Sequence, residues 1–97
     1  MNVENGGRIE LRLGSSSAQS AQYEARLQTA SSSWHAAVQV GPKVEFGPWQ
    51  AETETASEPP VWLTEDARAA LKAALRTSQS EGRWPRRITR WRPEPSD

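Results

Sequence analysis

Hydrophobic and polar residues alternate along the first half of this chain. Ile9, Leu11 and Leu13 interleave with Arg8, Glu10 and Arg12, the period-two pattern of a strand with one buried face. Gly14 and Ser15-Ser16-Ser17 form a connection. Tyr23, Ala25 and Leu27 then alternate with Gln22, Glu24, Arg26 and Gln28, and Trp34, Ala36, Val38 and Val40 face away from His35 and Gln39. Gly41-Pro42 marks a turn. Val44 and Phe46 open a fourth run that Gly47-Pro48 interrupts before Trp49, Ala51 and Thr53 resume it. That run reads as one bent strand or two short ones. Short connections and polar outer faces predict an antiparallel meander over residues 8–54.

The period changes after the Pro59-Pro60 pair. Ala67, Ala70, Leu71, Ala74 and Leu75 fall on one stripe at helical spacing. Thr64 is the expected N-cap, with Glu65 and Asp66 in the first turn, where the helix dipole favours acids. The helix is expected over 65–77, with Gly82 as its stop. The fold class predicted is therefore α+β: an antiparallel sheet of four or five strands, one amphipathic helix packed on it, and a short basic C-terminal element. Ile9, Leu11, Tyr23, Leu27, Trp34, Val38, Val44, Phe46, Leu71 and Leu75 are the expected core, and Trp62 and Trp84 are expected to close the two ends of the helix.

The C-terminal element has two readings. As a helix with Pro85 in its first turn, it places Trp84, Ile88 and Trp91 near one face. As a strand, it sets Ile88 beside Arg86 and Arg90, a poor core pattern, although Ile, Thr and Trp favour strands. The helical reading, ended before Pro93, is preferred on pattern. A single domain of 97 residues is expected, with flexible ends at 1–6 and 93–97.

Charge adds one feature. Lys plus Arg and Asp plus Glu number twelve each, so the whole molecule is neutral and exerts no general pull on nucleic acid or anionic lipid. The distribution is uneven: residues 83–97 carry five basic and two acidic groups, against seven and ten in the rest. Five of the twelve basic residues and two of the five Trp lie between Arg83 and Arg92. Arg and Trp are prominent at macromolecular contacts. Arg68, Lys72 and Arg76 add a helical stripe at i, i+4, i+8, which local helix stability does not explain because like charges at that spacing repel by about 0.2–0.5 kcal/mol per pair. The candidate partner-binding residues are Arg83, Trp84, Arg86, Arg87, Arg90, Trp91 and Arg92, joined by Arg68, Lys72 and Arg76 if the two groups merge into one surface. The bland alternative is that the indoles cap a small core and the arginines are solvated.

Other chemistry is weakly represented. His35 is the single histidine and has no sequence neighbour suited to metal or proton transfer. The serine runs lack a nucleophile-elbow context. Gly6-Gly7 and Gly41-Pro42-Lys43 lack phosphate-loop spacing. The acidic stretch Glu52, Glu54 and Glu58 reads as a solvated edge. With no cysteine, neither disulfides nor thiolate metal sites can form, and no apolar run approaches the roughly 20 residues of a membrane span. No signal peptide is evident, and cytoplasm is the default compartment. No catalytic or metal residue, cofactor or small-molecule substrate is assigned. The leading expectation is a non-enzymatic accessory module that binds another protein or a second copy of itself. The alternative is a nucleic-acid binder using the arginines on phosphates and Trp84 or Trp91 on bases.

Overall fold

The computed structural model describes residues 6–52 and 58–94. Strands β1 (Gly6–Ser16), β2 (Ala21–Thr29), β3 (Ser33–Val40), β4 (Val44–Phe46) and β5 (Gln50–Ala51) precede helix α1 (Val61–Glu81), and β6 (Arg87–Pro93) follows it. Every pairing is antiparallel, and the order across the sheet is β4-β3-β2-β1-β6, with β5 also on β3. The α+β fold is thus an antiparallel sheet with one helix packed on it. Gly47-Pro48 divides the fourth hydrophobic run into β4 and β5, where Gly47 donates its N–H to the Ala37 carbonyl at 2.7 Å. The expected continuation through Thr53 and Glu54 lies outside the described residues, as do residues 1–5 and 95–97 of the ends. Gly6 and Pro93 pair with each other across β1 and β6.

The alternation is realised as two distinct sheet faces. Ile9, Leu11, Tyr23, Ala25, Leu27, Trp34, Ala36, Val38, Val40 and Val44 point toward α1 and are buried. Leu63, Ala67, Ala70, Leu71 and Ala74 descend on them from the helix. Phe46, Trp62 and Leu75 are half-buried at the rim of this core. Gly14 is an extra residue in β1: Leu13 pairs with Tyr23, but Ser15 pairs with Gln22. This bulge turns the end of β1 toward the serine loop.

Two sequence expectations are corrected. The helix begins at Val61, not after Thr64, and its N-cap is Pro60 at φ −58° and ψ 143°. A proline here forfeits only an N–H that a first turn leaves unused. The extension places Leu63 fully inside the core. Thr64 bonds back from within the helix, its hydroxyl donating to the Pro60 carbonyl at 3.2 Å. Consequently Glu65 and Asp66 lie beyond the first turn. At the other end the helix continues past Thr77 to Glu81, where Gly82 at φ 77° closes it by donating to the Ser78 carbonyl at 2.9 Å. That left-handed cap suits glycine.

The C-terminal element, expected as a helix, is a strand. Without β6, the N–H and C=O groups of Gly7, Ile9 and Leu11 on the far side of β1 would lack partners. The strand fills that edge. Arg86, Ile88, Arg90 and Arg92 lie on the helix side, opposite Leu13 to Gly7, while Arg87, Thr89 and Trp91 share the open face with Arg12, Glu10 and Arg8.

Candidate functional site

The two indoles of the C-terminal segment have opposite fates. Trp84 is buried at 7% exposure, its ring edge-on to Tyr23 with centroids 6.4 Å apart, and its Nε1 donates to the Ser17 carbonyl at 2.9 Å. The serine loop is therefore the receptor for this indole. Tyr23 Oη donates to the Pro85 carbonyl, fixing the entry to β6, and burial pushes the phenol pKa up to about 12. Trp84 belongs to the core and drops out of the proposed contact residues. Trp91 lies on the open face and remains 40% exposed.

Gly6-Gly7 explains how both faces close at this end. A Cβ on Gly6 would run into the Trp91 indole and lie 2.8 Å from the Arg92 carbonyl oxygen; one on Gly7 would lie 2.7 Å from a Leu63 methyl. The pair is a packing motif: the indole crosses one face of the backbone and the helix's first turn presses on the other. Sequence gave no signal for it beyond the doublet itself.

The arginines divide as well. Arg87 bonds Glu10 at 2.6 Å on the open face, and Arg8 approaches the same carboxylate at 3.8 Å. The hydrogen bond from Arg87, with Arg12 and Arg8 nearby, lowers the Glu10 pKa. Arg92 reaches from β6 to Asp66 of the helix at 3.3 Å. Arg68 donates to the Val44 carbonyl at 2.7 Å, lies 5.1 Å over the Phe46 ring and approaches Glu65 at 3.6 Å. Lys72, Arg76, Arg83, Arg86 and Arg90 are exposed, and no ion pair ties any of them to another described residue. Arg68 sits at the β4 edge and Arg92 at the β6 edge, at opposite margins of the sheet. The helical stripe and the C-terminal arginines do not merge into one surface at those positions.

Glu10 anchors Arg87, a role that sequence pattern does not single out; its place between Arg8 and Arg12 on the polar side is the available signal. The rest of the open face is charge-compensated. Arg26 bonds Glu52 at 2.9 Å, and His35 lies 3.7 Å from Glu52 and 3.2 Å from Gln50. Glu54 lies outside the described residues. Among the described residues, no cluster of three His or carboxylate side chains could hold a metal ion, and no helix is long and apolar enough to cross a membrane.

What remains as a distinctive surface is the β6 edge. Leu13 N–H donates to the Arg86 carbonyl at 2.9 Å. Antiparallel alternation then turns the backbone groups of Ile88 and Arg90 inward to β1 and those of Arg87, Thr89 and Trp91 outward. Three N–H donors and three carbonyls thus face solvent, between the Arg86 and Arg90 side chains on the helix side and Trp91 on the other. Near its start a cleft of about 800 Å³ opens between the serine loop and the helix end, lined by Leu13, Ala18, Thr77, Arg83, Trp84 and Arg86 among others.

Comparison with known proteins adds no assignment: no family model, curated protein or solved structure matches this chain.

Proposed function

We propose that this chain is a non-enzymatic protein-binding module whose contact element is the β6 edge. One observation carries the reading: a seven-residue edge strand leaves the backbone groups of Arg87, Thr89 and Trp91 toward solvent beside a 40% exposed indole. Exposed strand edges are templates for pairing with another chain unless they are covered or blunted. Here Pro93 and the arginines limit indiscriminate pairing without removing the central donors. The contact set is Arg86, Thr89, Arg90 and Trp91, with Arg83 at its start; Arg87 and Arg92 contribute while held by Glu10 and Asp66.

The nucleic-acid alternative draws less support. With Trp84 in the core, one indole of the segment is left for base stacking, and acids compensate much of the open-face charge.

The test uses Thr89→Pro. The Thr89 N–H points outward, so proline removes an edge donor and no bond to β1. Peptides selected by display against the wild-type protein should lose binding to Thr89→Pro, while the melting temperature changes by only a few degrees. Equal binding by both proteins refutes the edge as the contact element. Steeply salt-dependent capture of oligonucleotides with no peptide selected transfers the assignment to the nucleic-acid class.

A further inference from the structure

We propose that the occupant of the β6 edge is an extended acidic segment that adds as an antiparallel strand. This rests on the edge being the contact element and names the chemistry of the partner. Every existing strand pair in the sheet is antiparallel. A strand continuing that pattern would form its hydrogen-bonded pairs with Arg87, Thr89 and Trp91, whose backbone groups face outward. The positions opposite Arg86, Ile88 and Arg90 would then be the non-hydrogen-bonded pairs, where side chains approach most closely.

Arg86 and Arg90 are exposed, lie on the helix side and have no acidic partner among the described residues. They flank the half-buried Ile88 at a spacing of two residues on either side. Acids opposite the two arginines with an aliphatic residue between them match that row. On the other face an aromatic or aliphatic residue fits beside Trp91, and a further acid fits beside Arg87, whose side chain stays 58% exposed while it holds Glu10.

Charge disfavours a second copy. Two β6 strands paired antiparallel about Thr89 would set Arg86 of each against Arg92 of the other and gather the arginines of both along one seam. Like charges directly opposite are destabilising. The same feature that repels a second copy attracts a carboxylate-bearing strand.

The probe is the blocked peptide Tyr-Glu-Thr-Val-Glu-Glu, with Tyr-Gln-Thr-Val-Gln-Gln as its neutral counterpart, titrated by fluorescence polarisation and followed by amide hydrogen exchange in NMR. The acidic peptide should bind more tightly and slow exchange at the amides of Arg87, Thr89 and Trp91. The amides of Ile88 and Arg90, already bonded to β1, should change little. Replacing Arg86 and Arg90 together by Ala should weaken binding roughly two- to thirtyfold, the scale of two exposed ion pairs, and raised salt should weaken it too. Acidic-peptide binding without protection at the three amides overturns strand addition. Equal binding of the neutral peptide, or protection of the same amides by self-association at high protein concentration, overturns the acidic preference and leaves the edge as contact element. If neither peptide nor a second copy protects these amides, the acidic-strand proposal is overturned; the edge assignment itself then stands or falls with the Thr89→Pro display experiment.

Discussion

Replacing Trp84 by Ala should destabilise the fold by about 3–5 kcal/mol, the usual cost of truncating a buried aromatic. The indole is 7% exposed, meets Tyr23 edge-on and donates to the Ser17 carbonyl at 2.9 Å. The lost hydrogen bond accounts for about 1 kcal/mol of that cost. A domain of this length commonly has about 5–15 kcal/mol of stability in total, so the variant loses roughly a fifth of it or more. At roughly 4–8 °C per kcal/mol, the melting temperature should fall by at least ~12 °C. Trp84→Phe keeps most of the apolar volume and loses the donor, so its cost should be about 1–2 kcal/mol. Trp91→Ala, on an indole that is 40% exposed, should cost about 1 kcal/mol or less. Urea unfolding followed by far-ultraviolet circular dichroism reads all three, since the backbone dominates that signal and the midpoint does not depend on its amplitude. A Trp84→Ala midpoint close to wild type, or a Trp91→Ala loss as large as that of Trp84→Ala, would refute the division into one core indole and one surface indole.

Further outcomes follow from the same geometry. Burial raises the Tyr23 pKa to about 12, above the ordinary value of 10. The neutral phenol is therefore favoured by folding, and its contribution is intact below pH 10 and lost as pH climbs from 10 toward 12. At about 1.4 kcal/mol per unit, the loss is at most roughly 2–3 kcal/mol. Denaturation at pH 9 and pH 11.5 should show a drop that Tyr23→Phe reduces; an unchanged drop in that variant would reassign it. Glu10 has the opposite sign: Arg87 lowers its pKa, so its contribution is present above the unfolded carboxylate value and disappears as pH falls through the lowered one. Glu10→Gln should flatten that acid limb of the stability curve, and an identical limb would show that the Arg87 contact contributes nothing. Gly82→Ala, at φ 77°, should cost about 1 kcal/mol through strain alone, since open space surrounds the position; a neutral result in thermal melts would contradict the left-handed cap. Gly7→Ala should cost more, because the new methyl meets Leu63 below the helix. A melting temperature equal to wild type would mean the helix start is not pressed against β1.

Which side of each strand faces inward is written locally along the chain, because side-chain alternation is a local property and only one register buries the apolar set. Ile9, Leu11, Tyr23, Leu27, Trp34 and Val38 are inside as their spacing required. Gly47-Pro48 broke the fourth run and Gly82 stopped the helix for equally local reasons, a missing donor and a left-handed backbone. Residues 84–93 were settled by long-range contacts instead. Their local pattern suited a helix, but the bare edge of β1, some eighty residues away in sequence, needed hydrogen-bond partners and took them. That choice sent Trp84 into the core and Trp91 to the opposite face. It gave Arg87 to Glu10 and Arg92 to Asp66, and left Arg86 and Arg90 outward. A guanidinium looks the same in sequence whether it is held or exposed, because its partner is chosen by cross-strand and helix-to-strand proximity that no short-range pattern encodes.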